Sequence, residues 1–115
     1  MKLDATALHH EKAKTLLQFR RLQDAHHELG TAWQTLPPNL LTWHMNMHLT
    51  EARLSLAEHD VERSSKSSIQ AYTIAKAIHS HKGKAEVKHV VSELQSLDST
   101  NSYIRNLNII VEGES

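Results

Sequence analysis

The sequence predicts an all-α fold, a short right-handed stack of antiparallel helical hairpins with five to six helices. Three observations predict it. The 115 residues include only three glycines and two prolines, and aromatic residues make up 4%. Ala, Leu, Glu, Lys, Gln and His are plentiful, which suits helices and leaves little of the aromatic and β-branched material a sheet packs on. From Leu22 to Asn39, LQDAHHELGTAWQTLPPN, apolar residues fall at Leu22, Ala25, Leu29, Ala32, Trp33 and Leu36. Those spacings of three and four make one stripe along a helix. The chain also comes onto itself when shifted by 39 residues, the mark of a repeated unit.

A first helix is expected from about Ala5 to Arg20, with Asp4 as its N-cap and Leu8, Ala13, Leu16, Leu17 and Phe19 as its apolar set. The second runs from Leu22 to about Leu36, where Pro37 and Pro38 stop it. So little chain separates the two that they must fold back on each other. Asn39 is placed to cap a third helix, about Leu40 to His59, which carries two apolar stripes. Leu40, Trp43, Met47 and Leu54 form one, and Leu41, Met45, Leu49, Ala52 and Leu56 the other. A helix apolar on two sides is packed on two sides, as in the middle of a stack.

Asp60 is expected to cap a fourth helix with Val61, Ile69, Tyr72, Ala75 and Ile78 on its main face. The run from His79 to Gly83 should break it, Gly83 being the natural turn residue. A fifth helix follows, about Lys84 to Leu97, with Val87, Val90, Val91, Leu94 and Leu97 inward. Asp98 to Asn101 reads as a turn. Ser102 to Glu112 then places Ile104, Leu107, Ile110 and Val111 at helical spacing.

Composition narrows function as well as fold. Lys plus Arg and Asp plus Glu number 13 each, so the basic excess of a nucleic-acid binder is missing. With no cysteine, disulfide staples and thiolate zinc sites are out. The longest apolar cluster, Ile109 to Val111, is far too short for a membrane span or a secretory signal. A soluble, cytoplasmic chain without a cofactor is expected. The ten histidines are the compositional oddity.

The 39-residue shift matches Ala13 with Ala52 and Val91, Leu17 with Leu56, Leu22 with Val61, Ala32 with Ala71 and Trp33 with Tyr72. Small residues recur where helices cross and bulky ones beside them. The third copy is the least faithful, as expected of a terminal unit. These positions resemble the tetratricopeptide repeat. His9, Ala13 and Leu16 take that family's aromatic, small and aromatic places in the first helix of the unit. Ala25, Leu29, Ala32 and Pro37 take the small, bulky, small and proline places of the second. In the second copy Ala52, the His59–Asp60 turn, Ser64 and Ser68 follow. The resemblance covers residues 1–115 as one domain, with repeats near 6–44, 45–83 and 84–112. Its period exceeds the family's usual length of about 34, and is similar to the longer-helix variant in the sensor and effector regions of bacterial transcription regulators.

The resemblance implies a concave groove lined by the first helix of each unit: His10, Lys14 and Leu17, then Asn46, Leu49, Arg53 and Leu56, then Lys88, Ser92 and Gln95. Lys14 and Arg53 are equivalent under the shift, and together would hold a peptide carboxylate. His44, His48 and Glu51 stand at i, i+4 and i+7 and form a weak candidate for a divalent metal; solvated or packed helix histidines explain the same letters better. The Ser64, Ser65, Ser67 and Ser68 run lacks the base and oxyanion hole a hydrolase needs, and is expected on an outer face. Trp33, Trp43 and Tyr72 read as packing residues. The expected function is a non-enzymatic protein- or peptide-binding scaffold, the repeat region of a larger bacterial signalling or transcription regulator. The alternatives are a small-ligand or metal sensor and a helical dimerisation module. For the scaffold as part of a larger array, exposed Ile104, Leu107, Ile110 and Val111 are expected to favour self-association. Direct nucleic-acid or membrane contact is not expected.

Overall fold

A computed structural model describes residues 2–113, with side chains from Asp4 to Gly113. Six helices and no strand occur among them: α1 (Lys2–Gln18), α2 (Leu22–Thr35), α3 (Leu41–Ala57), α4 (Val61–Ala77), α5 (His81–Leu97) and α6 (Ser102–Glu112). They pair as hairpin one (α1 and α2), hairpin two (α3 and α4) and hairpin three (α5 and α6). Each pair is antiparallel: the start of α1 meets the end of α2 through Thr6 Oγ1 and Thr35 Oγ1, 2.7 Å apart. α3 packs on both helices of hairpin one, and α4 on both helices of hairpin three. The resulting stack is a plate of 42 × 31 × 17 Å.

The shift of 39 residues relates the turns of the first two hairpins, while Asp98, the equivalent position in the third, is extended at φ -161°. Arg20 and His59, which it relates, both have φ 61°. At the first turn the Arg21 N–H donates to Leu16 O at 2.9 Å, and at the second the Asp60 N–H donates to Ser55 O at 2.9 Å. These are the left-handed helix ends that absorb orphan carbonyls. A third, at His79 with φ 56°, closes α4, where Ser80 N–H donates to Ala75 O at 2.8 Å.

Several expected boundaries move. Asp4 lies in the first turn of α1 rather than capping it. Leu40, not Asn39, is the N-cap of α3, and no side chain caps that helix. Asp60 does cap α4, its carboxylate accepting from Arg63 N–H at 3.1 Å. Gly83 is not a turn residue. Ser80 caps α5 by accepting from Gly83 N–H at 2.9 Å, so the helix begins earlier, and Gly83 is buried in its first turn. A Cβ there would meet Met45 Sδ at 2.5 Å; the glycine is needed for close approach of α5 to α3.

The core has two parts. Met45, Leu49, Ala52, Ala71, Tyr72, Ala75, Val87, Val90, Val91, Leu94, Ile104, Leu107 and Val111 form one cluster across hairpins two and three. Ala13, Ala25, Leu29, Ala32, Met47 and Leu54 form another between hairpin one and α3. α3 therefore serves both, as its two stripes predict. Leu8, Phe19, Leu41 and Leu97, expected inside, are exposed at 54%, 72%, 47% and 46%. Conversely Ile104, Leu107 and Val111 are buried and supply no surface for self-association.

The serine run is also inside. Ser64, Ser65, Ser67 and Ser68 are all buried, because small side chains let α4 lie close against its neighbours. Ser64 Oγ donates to Ala52 O at 2.8 Å and Ser67 Oγ to Glu51 Oε1 at 2.7 Å. Those two hydroxyls are satisfied in a way compatible with burial, whereas Ser65 Oγ and Ser68 Oγ are buried without a hydrogen-bond partner among the described residues.

Candidate functional site

The helices α1, α3 and α5 end at one edge of the plate, and between their last turns lies an open cleft of about 600 Å³. Leu17, Gln18 and Arg20 come from hairpin one; Arg53, Leu56, Ala57 and His59 from hairpin two; Glu93, Ser96 and Leu97 from hairpin three. The floor is apolar, made by Leu17, Leu56 and Leu97. Its rim bears both signs of charge. Three helix C-termini turn their partial negative charge toward this edge, and Arg20 and Arg53 offset it. Arg53 leans on Glu86 with N···O 3.6 Å, a loose ion pair that leaves the guanidinium able to meet another anion. Both positions of left-handed backbone at the first two hairpin turns, Arg20 and His59, are on its border.

The groove implied by the repeat resemblance does not survive as one surface. Leu17, Arg53 and Leu56 reach the cleft. His10 does not: it is 6% exposed, its Nε2 2.7 Å from Thr50 Oγ1. Leu49 is core at 1% exposure. Asn46 is exposed, and its backbone carbonyl takes the Thr50 hydroxyl at 3.2 Å. Lys14 is exposed on α1, 2.7 Å from Glu11, and the neighbouring ammonium holds the Glu11 carboxyl below its ordinary value. Lys88, Ser92 and Gln95 line a different hollow, of about 240 Å³, with Val91, Asn108, Val111 and Glu112. That hollow is on the outer face of hairpin three. Under the shift, Leu49 and Leu56 become Lys88 and Gln95 there, and polar replacements are what an end unit needs against water.

No protein-family model, curated protein or solved structure matches this chain. The site therefore rests on its own geometry.

His44, His48 and Glu51 do not converge on a common point. His44 Nε2 lies 3.1 Å from the Pro37 carbonyl, while His48 Nδ1 is 3.6 Å from Glu51 Oε1. Both rings lie tilted against Trp33, with centroids 5.6 Å and 4.7 Å away and planes at 56° and 51°. The His48 contact, then the Ser67 hydroxyl, holds the Glu51 carboxyl below its ordinary value against the opposing effect of burial. No group of three His, Cys, Asp or Glu among the described residues is placed to hold a metal. Nor is any described helix long and apolar enough to cross a membrane.

Sequence reasoning missed Gln18, Arg20, Ala57, His59, Glu93, Ser96 and Leu97 as cleft residues. The signal for four of them was available: Gln18 and Ala57, like Arg20 and His59, are related by the same 39 residues as Leu17 and Leu56.

Proposed function

We propose that this chain is a non-enzymatic binding module of tetratricopeptide-like build, whose cleft between α1, α3 and α5 takes a short protein segment. One observation carries the reading: three successive hairpins each contribute an apolar floor residue and a polar rim residue to one open cleft. An apolar floor with a few polar groups at its edge suits a peptide with an apolar anchor and an acidic neighbour. Leu17, Leu56 and Leu97 would take the anchor. Arg20 and Arg53 would meet the acidic group, as the planar fork of arginine favours. The recurrence of hairpin turns 39 residues apart supports the tetratricopeptide-like assignment.

A random peptide library displayed on phage and selected on the whole chain tests this. Enriched peptides are expected to share an apolar residue beside Asp, Glu or a free C-terminus. Their affinity should fall about tenfold in Arg53→Ala and hold in Lys14→Ala, whose ammonium belongs to Glu11. An empty selection, or equal binding to the Arg53 and Lys14 variants, overturns the assignment.

A further inference from the structure

We infer that the seam between α1 and α3 is an acid-sensitive latch, closed by the neutral ring of His10 and opened when that ring takes a second proton. His10 is 6% exposed between the two helices, with Nε2 2.7 Å from Thr50 Oγ1. The Thr50 hydroxyl has one proton, and Asn46 O receives it at 3.2 Å. With that proton on Asn46 O the ring donates from Nε2, and with it turned to the ring Nε2 accepts; a neutral imidazole satisfies the contact either way. Trp43 stands against the ring, centroids 6.1 Å apart and planes at 67°. A second proton puts a full charge into a closed seam where the contacting groups of α3 carry none to balance it.

From α3 the ring meets Trp43 and Thr50, neither of them charged; the charges acting on it are Lys14 and Glu11 of its own helix. Burial pushes its pKa down, Lys14 pushes the same way, and Glu11 opposes them. The closed seam therefore holds fewer protons than the open one between the lowered value and that of free histidine. Its stability is complete above about pH 6.5 and is lost as pH falls through that window.

The contact of α2 with hairpin two does not involve His10: His26 Nε2 lies 2.7 Å from Glu58 Oε1 at the end of α3. Opening at His10 is therefore a change at the seam between α1 and α3 alone. The carboxyls of Glu11, Glu28 and Glu51 are all held below their ordinary values, so mild acid leaves these carboxylates charged.

Hydrogen exchange by mass spectrometry on the whole chain, at about pH 7.5 and about pH 5.5 with intrinsic rates corrected, decides it. Protection of α1 amides around His10 is expected to fall by about threefold or more in acid, with α5 and α6 unchanged. In His10→Gln, whose amide can donate to Thr50 but cannot charge, α1 should keep its protection at both values. Equal loss in α1 and α5, or the same α1 loss in His10→Gln, overturns the latch. Should His10→Gln fail to fold, ring titration of the wild type by NMR decides. A His10 midpoint below that of free histidine, shared by Thr50 and Trp43 signals, supports it, and a midpoint at or above free histidine overturns it. No ligand enters either measurement, so the latch and the peptide cleft fail separately.

Discussion

Among the described residues hairpin one meets hairpin two through α3 alone, and hairpin two meets hairpin three through both of its helices. The two seams differ in chemistry as well. The second seam is apolar: Met45, Leu49 and Tyr72 on one side face Val87, Ile104, Leu107 and Val111 on the other. The first is narrow and half polar. Its buried cluster holds three alanines among six residues, and the remaining contacts are His10 on Thr50, His26 on Glu58 and Trp33 on His44 and His48. Burial of apolar area sets how strongly two elements hold. Polar contacts set how they are aligned, and contribute less net free energy each. The molecule is therefore a firm pair of hairpins with a third one held more lightly at its N-terminal end.

The largest effect that tests this ranking comes from truncating the second seam. Leu107 is fully buried, and Leu107→Ala should cost about 4 kcal/mol in urea denaturation, since the site lies among fixed neighbours that cannot collapse. Leu29, the largest leucine contribution of hairpin one to its own cluster, is 3% exposed. Leu29→Ala should cost about 2–3 kcal/mol, the low end of the range for buried leucine. A larger loss at Leu29 than at Leu107 reverses the ranking.

Trp33→Ala comes next. A core tryptophan costs about 3–5 kcal/mol to truncate. Trp33 is only half-buried, and its Nε1 is buried without a hydrogen-bond partner among the described residues. An unpaired buried donor lowers the worth of the ring, so we expect about 2 kcal/mol, read by the same denaturation series. A loss as large as that of Leu107→Ala would make Trp33 the true centre of the first seam.

The two seams also show which signals a sequence carries. Periodicity placed all six helices, and the two-sided stripe of α3 correctly made it the middle element, because apolar spacing reports directly on burial. It misjudged residues whose burial depends on a neighbour's shape. Ser64 to Ser68 read as an outer face, yet small size, not polarity, decided their place. His10 and Lys14 share one helix surface by spacing, yet His10 falls under α3 while Lys14 stays clear of it. The cleft was half legible: Leu17, Arg53 and Leu56 follow from the repeat, whereas Glu93, Ser96 and Leu97 depend on how far α5 extends beside α3, which spacing within α5 does not encode.

Gly83→Ala probes the second seam by adding one methyl group. The new Cβ would stand 2.5 Å from Met45 Sδ, 3.0 Å from Ser80 Oγ and 3.1 Å from Ala75 Cβ. Alanine in place of a helical glycine gains about 0.5–1 kcal/mol in backbone entropy. Overpacking a tight contact costs about 1–3 kcal/mol, and Met45, itself 4% exposed, has little room to turn. The net expectation is a loss of about 1 kcal/mol by thermal or chemical denaturation. Stabilisation instead would mean the second seam has slack, and the contrast between seams would shrink.

The smallest effect separates turns from seams. Arg20 and His59 occupy equivalent turns at φ 61°, a conformation that costs a side-chain-bearing residue about 1–2 kcal/mol. Glycine removes that cost and adds about 0.5–1 kcal/mol of entropy loss on folding. Arg20→Gly and His59→Gly should therefore each stabilise by about 0.5 kcal/mol in matched denaturation curves. The two gains should be equal, since the turns share their backbone angle and their hydrogen bonds to Leu16 O and Ser55 O. Equal gains at the turns beside unequal losses at Leu29 and Leu107 would locate the difference between hairpins in the seams alone. A gain at His59 without one at Arg20 would instead mean that the end of α1 frays before its turn is strained, and that hairpin one is weak within itself and not only where it docks.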